Sequence, residues 1–450
     1  MRHWLLATCA ICGLVVHGAS AMAETLEEAM AEAYQTNPQI QAQRSVLRQT
    51  NEGVSQATSG WRPTVQFTGS TGYSQTHQTP APANQSLQPQ SVDLNVTQNL
   101  YQGGRTTAQI RAAENSVQAQ RAQTLATEAA IMFSVAQAYL DVVRDQNLVA
   151  LNTNNEQVLR RQLEAVNDQF RVGEITRTDV AQSESRLANA TAQRTISEGN
   201  LQNTRANYER AVGHLPPRLE MPDLQLPLPV NKEEAIALAT SNNKGVIVAM
   251  YNARAAEDTV EATRALLLPN LNLIGGLNKA IESNTKGRFT EQASVVARVT
   301  IPLYEAGSIY SQTRQAQQVV GQRQGQLDDA RRQAIQAAAR DWETIQSFSA
   351  SIRSLQANIR ASEIALEGTR QEQQVGSRTI LDVLNAEQEL FNARTQLTTA
   401  QHDLALAQFD LVQQIGRMNV NDLKLPVQAY DMDRHYRSVR NKWLGFGSDD

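Results

Sequence analysis

The sequence predicts an α+β membrane protein, in which long antiparallel coiled-coil helices join four strands that have one apolar and one polar side. Three observations predict it. First, the chain is written twice: VGEITRTDV at Val172 returns as VGSRTILDV at Val375, 203 residues later, and a recurrence at fixed offset marks a structural repeat. Second, proline-free stretches following each strand region are long enough for helices of roughly 100 Å at 1.5 Å per residue. Third, four segments of about ten residues alternate strictly between apolar and polar side chains, the pattern of half-wetted strands.

The repeat extends well beyond the turns. TLEEAMAEAYQTN from Thr25 corresponds to NKEEAIALATSNN from Asn231, Pro63 to Pro269, and LYQGG from Leu100 to LYEAG from Leu303. Gly173, Asp179 and Gly213 fall on Gly376, Asp382 and Gly416. The chain therefore divides into a leader at 1–23, a first repeat at 24–213, a Pro-rich connector at 214–230, a second repeat at 231–416, and a C-terminal segment and tail at 417–450.

Taken in order, the leader has Arg2, an apolar run from Trp4 to Val16 and an Ala21-Met22-Ala23 cleavage site, the pattern of a secretory signal peptide. The run is shorter than the roughly 20 residues of a spanning helix. Cleavage would remove Cys9 and Cys12, the only cysteines, and Arg2 from 41 basic residues set against 45 acidic ones, for a mature charge of −5. No disulfide or thiolate chemistry is then expected, and no nucleic-acid partner. Aromatic residues make only 5 % of the chain, which suits long polar-faced helices better than compact cores.

Each repeat opens on a helix, expected over 25–61 and again over 232–267. In the strands that follow, Val65, Phe67 and Tyr73 alternate with Gln66, Thr68, Ser70 and Ser74, and Val92, Leu94 and Val96 with Asp93, Asn95 and Thr97. In the second repeat Leu271, Leu273 and Leu277 alternate with asparagines, and Val295, Ala297, Val299, Ile301 and Leu303 form the returning face. Such lengths suit tilted strands crossing a bilayer. A long helix, the Val-Gly turn and a shorter helix complete each repeat. The short helices, end to end, match the long one, so the walls of a tall cylinder are expected to combine one-piece and two-piece rods. Ala386, Leu390, Ala393, Leu397, Ala400, Leu404, Ala407 and Leu411 keep the four-three spacing of a coiled-coil seam. The prolines of HLPPRLEMPDLQLPLPV, 214–230, preclude a regular helix in the connector.

Four strands cannot seal a barrel in lipid, where an open edge leaves backbone groups unpaired. Two copies would give eight strands and a lumen filled by side chains, whereas three would give twelve and leave room for an aqueous opening. A trimer is preferred for transport.

With the twofold repeat, the LYQGGR and LYEAGS junctions, Asn37-Pro38 and the two Val-Gly-to-Asp-Val turns, residues from about Glu24 to Leu425 resemble the TolC-like outer-membrane factors. These are the exit ducts of tripartite efflux pumps and type I secretion systems. The resemblance implies a homotrimer with a twelve-stranded β-barrel in the outer membrane of a Gram-negative bacterium and a helical tunnel across the periplasm. It also implies extracellular loops at 77–90 and 282–290, an equatorial collar from 214–230 and the region after Gly416, and two kinds of partner. Those partners are a periplasmic membrane-fusion adaptor and an inner-membrane efflux pump or ABC exporter. Residues 431–450 match nothing interpretable. The alternative is a periplasmic coiled-coil adaptor or scaffold without a channel, which would share the leader and seams but has no need of four strands.

The turns are the candidate site. Gly173 and Gly376 suit tight helical reversals, and Asp179 and Asp382 fall in the first turns of the returning helices, where negative charge is favoured. On a threefold axis Asp382 would also form a carboxylate ring that favours cations. By resemblance, Thr178 and Asp179 link to Arg378 to hold a periplasmic gate closed together with Asp382. Asn385 stands where the best-known family member has a second pore Asp, and Gln373 where it has a tyrosine, so a single acidic ring and a weaker lock are expected. Val172, Gly173, Thr176, Val375, Gly376 and Ser377 are the expected adaptor-docking tips. Catalytic residues, cofactors and metal sites are not expected: His77, His214, His402 and His435 are scattered, and no nucleophile elbow or phosphate loop occurs.

Overall fold

The computed structural model describes residues 24–77 and 85–447. The leader at 1–23, half of the loop expected at 77–90 and the last three residues of the tail lie outside the described residues. The first repeat comprises α1 (Leu26–Thr36), α2 (Pro38–Thr58), β1 (Thr64–Thr71), β2 (Ser74–Thr76), β3 (Gln85–Leu87), β4 (Gln90–Gln102), α3 (Arg105–Arg171) and α4 (Arg177–Val212). The second comprises α5 (Lys232–Asn242), α6 (Lys244–Arg264), β5 (Asn270–Ile281), β6 (Phe289–Thr300), α7 (Ser308–Gln374) and α8 (Ile380–Gln414), and α9 (Met432–Val439) follows.

The single helices expected over 25–61 and 232–267 are each broken in two. Asn37 caps α2 by accepting from the Gln39 N–H at 2.9 Å, with Pro38 in the first helical position, where its missing N–H costs nothing. Asn243 makes the same break without proline, accepting from the Gly245 N–H at 2.9 Å and the Val246 N–H at 3.3 Å. Both asparagines also face backwards. The Asn37 amide donates to the Ala211 carbonyl at 3.4 Å and the Asn243 amide to the Gln414 carbonyl at 3.1 Å. One side chain thus starts α2 and satisfies the end of α4, and the other does the same for α6 and α8. The two-piece rods are joined by an Asn at each seam.

The one-piece rods, α3 and α7, are 67 residues each, or about 100 Å. On α8 the expected seam is buried at Leu390, Ala393, Ala400, Ala407 and Leu411. A second stripe, Val383, Leu384, Ala405, Phe409 and Val412, is buried as well, because α8 packs on both α7 and α3. The largest apolar core lies at mid-height, where α1, α3 and the ends of α4 and α8 enclose Tyr139, Tyr208 and Phe409. Leu219 of the non-helical connector and Met418, Val420 and Leu425 beyond α8 belong to the same core.

The strands form one antiparallel sheet in the order β1-β4-β5-β6. Val65 faces Val96, Phe67 faces Leu94, Leu94 faces Leu277 and Leu277 faces Ala293, so these apolar residues of all four strands share one side, while Ile274 and Val296 pair on the other. That side is bare: Phe67 is 71 % and Val295 77 % exposed. Within the protomer β1 and β6 are edges. Ile301 and Leu303, expected on the returning face, lie past the end of β6, and Tyr73 falls between β1 and the short β2–β3 hairpin. Among the described residues no helix is long and apolar enough to cross a membrane.

The described histidines stay apart from one another, but His214 and His402 meet carboxylates. His214 Nε2 stands 3.3 Å from both Glu24 and Glu32, and His402, expected on a polar surface, is buried 2.9 Å from Asp141 and from Asp403. Except for Asp403, the neighbour of His402, these carboxylates are far apart in sequence from the rings they meet, so spacing could not reveal them.

Candidate functional site: the paired hairpin tips

The two turns are built alike from the backbone up. At the end of α3, Gly173 adopts φ +81°, its N–H donates to Phe170 O, and the Glu174 N–H reaches Gln169 O, each at 3.0 Å. At the end of α7, Gly376 adopts φ +79°, its N–H donates to Gln373 O at 3.0 Å and the Ser377 N–H to Glu372 O at 2.9 Å. This pair of bonds with a left-handed glycine is the Schellman closure, which satisfies carbonyls the helix end leaves open.

The returning helices then start on identical capping boxes. Thr176 Oγ1 accepts from the Asp179 N–H at 3.3 Å while Asp179 Oδ2 accepts from the Thr176 N–H at 3.0 Å and its hydroxyl at 2.7 Å. Thr379 and Asp382 repeat it at 3.3, 2.9 and 2.8 Å. Each Asp is therefore bound into its own helix start. The Thr379 N–H, and next its hydroxyl, hold the Asp382 carboxyl below the usual carboxylate range.

Arg378 has a partner within its own turn. Its Nε donates to Glu372 Oε2 at 2.9 Å, with both side chains 53 % exposed. Within one protomer this Arg378 to Glu372 pair ties the turn to the last residues of α7. Asn385 Oδ1 accepts from Arg186 Nη2 at 3.0 Å, a bond between the two hairpins. Gln373 contributes its carbonyl to the Schellman closure, and Thr178 is exposed one residue before the capping Asp.

The two hairpins are also joined by apolar packing. Ile380 and Leu384, at the start of α8, are buried with Leu159, Val166 and Ala190 of the first hairpin, and Ile175 packs on this cluster. The outermost residues remain open: Val172 is 71 % and Val375 80 % exposed, and Gly173, Thr176, Gly376 and Ser377 are exposed beside them. Sequence reasoning missed Thr379, Glu372 and Arg186. The Thr-x-x-Asp spacing of a capping box was available to find Thr379, but no periodic signal links Glu372 to Arg378 across a turn.

At one end the molecule thus carries a bare apolar sheet with two open edges, and at the other two exposed hairpin tips about 100 Å away along α3. The sequence pattern of the family described as "Outer membrane efflux protein" matches residues 29–214 and 235–417. The chain belongs to the outer membrane efflux protein family. It is 32 % identical over 450 residues to the outer membrane efflux protein BepC of Brucella suis biovar 1, spanning 100 % of this chain and 98 % of BepC. It is 26 % identical over 410 residues to the outer membrane protein TolC of Vibrio cholerae serotype O1, spanning 89 % and 92 % of the two. In fold it is similar to the outer membrane protein VceC of Vibrio cholerae, with a TM-score of 0.77 at 20 % identity over 87 % of this chain and 96 % of that one. Family membership places the protein in the outer membrane as an efflux channel and sets aside the channel-free periplasmic scaffold. The family's members are channels and not enzymes.

Proposed function

We propose that three copies of this chain close edge to edge, β1 of one against β6 of the next, into a twelve-stranded barrel continued by a helical tunnel. The observation that carries this reading is the four-stranded sheet whose apolar side is bare and whose two outer strands are unpaired within the protomer. A lipid-facing sheet cannot leave such edges open. The tunnel exports drugs or secreted proteins, and the chain itself performs no catalysis. The exposed tips around Val172, Gly173, Thr176, Val375, Gly376 and Ser377 receive a periplasmic membrane-fusion adaptor, which couples the tunnel to an inner-membrane efflux pump or ABC exporter.

In this reading the tips are also the gate. Threefold symmetry brings three Asp382 carboxylates together as one acidic ring, with Arg378, Asp179 and Thr178 setting the separation of neighbouring tips and Asn385 and Gln373 leaving the lock short of further charged contacts. Because Arg378 is engaged by Glu372 within the protomer, opening and closing exchange one exposed carboxylate partner for another, a change of small free energy. Extracted in detergent, the protein is expected to run as a heat-sensitive trimer and to conduct in a planar bilayer, with higher conductance after Arg378→Ser. A monomer in detergent, or release from membranes by carbonate, overturns the trimeric barrel. Unchanged conductance in Arg378→Ser removes that residue from the gate.

A further inference from the structure

The tail after Asp431 has a defined place. α9 lies along α2, with His435 and Val439 buried and His435 Nδ1 3.3 Å from the Asn51 amide. On the α3 side, Arg121 pairs with Asp433, and Arg440 and the Tyr436 hydroxyl reach Glu114 at 2.8 and 3.4 Å. The partners climb α3 from Arg121 towards its N-terminus as the tail advances, so the tail runs towards the sheet. It reaches that level at Lys442 and Trp443: Arg62, two residues before β1, donates to the Lys442 carbonyl at 2.6 Å, and its guanidinium lies 5.1 Å from the centre of the Trp443 ring.

At that level the tail's chemistry changes. Residues 431–442 carry six charged side chains, whereas 443–447 read Trp-Leu-Gly-Phe-Gly and carry none. Gly445 at φ +103° bends the chain back, and the Lys442 ammonium donates to the Gly447 carbonyl, closing a small loop. The loop turns its apolar residues outwards. Trp443 is 65 %, Leu444 89 % and Phe446 fully exposed, although the rest of the tail is tied down by its polar contacts.

We infer that this Trp443, Leu444 and Phe446 loop is a membrane-interface anchor, seated in the headgroup and upper acyl region of the phospholipid at the base of the sheet. Lipid is the occupant because the patch is continuous with the membrane face. Arg62, against which Trp443 rests, leads through Pro63 into Val65 and Phe67, both exposed on the apolar side of β1, and Trp61 adjoins it. Tryptophan and its neighbours gather at such boundaries because the indole has a large apolar body and an N–H for the headgroups. An exposed cluster of this size in water would be a liability, and the switch from charged to apolar coincides with the level at which the sheet begins. The anchor would fix the height of the barrel relative to the helices, with α9 as its strut. The inference rests on the sheet being inserted in the membrane.

The test uses the full-length protein in phospholipid nanodiscs whose acyl chains are brominated near the headgroup, comparing wild type with Trp443→Phe and Trp61→Phe. The wild-type emission minus that of Trp443→Phe reports Trp443 alone, and the corresponding Trp61 difference is the internal control for the sheet. Emission from Trp443 is expected to be roughly halved by bromine, as for a residue in the aromatic belt. Quenching of Trp61 without quenching of Trp443 overturns the anchor while leaving the barrel intact. In that case blue-shifted Trp443 emission would assign the loop to a cleft between neighbouring copies, and red-shifted emission to water. Quenching of neither overturns the inserted sheet and the anchor together. Both tested residues are exposed, so neither substitution removes a packed core side chain.

Discussion

The two halves of this chain end their long helices on tips with the same backbone and different side chains. Gly173 and Gly376 share the left-handed conformation, and Thr176 with Asp179 and Thr379 with Asp382 form matching capping boxes. Both positions between glycine and threonine differ, Glu174-Ile175 against Ser377-Arg378, and the second of them separates the tips most. Ile175 in the first tip packs on the cluster of Leu159, Ile380 and Leu384, whereas Arg378 at the equivalent place is in water and bonded to Glu372. Duplication preserved the turn's shape, which a glycine and a Thr-x-x-Asp are enough to specify, and left the side chains between them free to diverge. The first tip became a packed support and the second a charged, exposed one.

The largest expected break in this pseudo-symmetry lies at the opposite ends of the returning helices. Gly213 and Gly416 are equivalent and both left-handed, but a Cβ on Gly416 would lie 2.2 Å from the Asn242 carbonyl oxygen, whereas one on Gly213 meets nothing within 4 Å. Gly416→Ala is expected to cost about 3 kcal/mol or more, strain and overlap together, and Gly213→Ala about 1–2 kcal/mol from strain alone. The temperature at which the heat-sensitive oligomer dissociates would rank them; equal losses would show that the two joints are equally tight.

A smaller contrast separates the tips themselves. Ile175→Ser is expected to lose about 1–2 kcal/mol by removing a partly buried aliphatic side chain. Arg378→Ser should stay below about 1 kcal/mol, because its ion pair is exposed on both sides. Amide exchange of α4 and α8 measured in parallel would locate the effect, and a larger loss for Arg378→Ser would make the second tip the support.

The smallest expected effect is on pH dependence. The Asp382 carboxyl is held below its usual range by the Thr379 N–H and hydroxyl, so its capping contribution is present above the unfolded aspartate pKa of about 4 and is lost as pH falls through the lower folded value. Exchange protection of the first turn of α8 should therefore fall below about pH 4 in the wild type and become pH-independent there in Asp382→Asn. Persistence of the acid step in Asp382→Asn would assign it to another group.

Much of this architecture was legible in the sequence because it is set by short-range periodicity. Alternation at period two placed Val65, Phe67, Val92, Leu94 and Leu277 on one side of the sheet, and the four-three spacing from Ala386 to Leu411 placed the seam of α8. The offset of 203 residues paired the turns. Local signals failed where one residue serves two elements. Asn243 breaks its helix without a proline, because its amide also closes the end of α8, 171 residues away. His402 reads as a surface residue on its own helix and is buried only because α3 brings Asp141 to it.

The sequence by itself determined the repeat, and, from residues within a few positions of one another, the kind of the main elements of each repeat, the apolar side of the four sheet strands and the closed form of both turns. Only the tertiary structure decided which partner each charged group would take and where the tail would dock. Within the protomer Arg378 pairs with Glu372, and Trp443 came to rest beside Arg62. A charged or aromatic side chain on a surface has several partners of nearly equal energy, and the choice among them follows from which helices the fold has already set side by side.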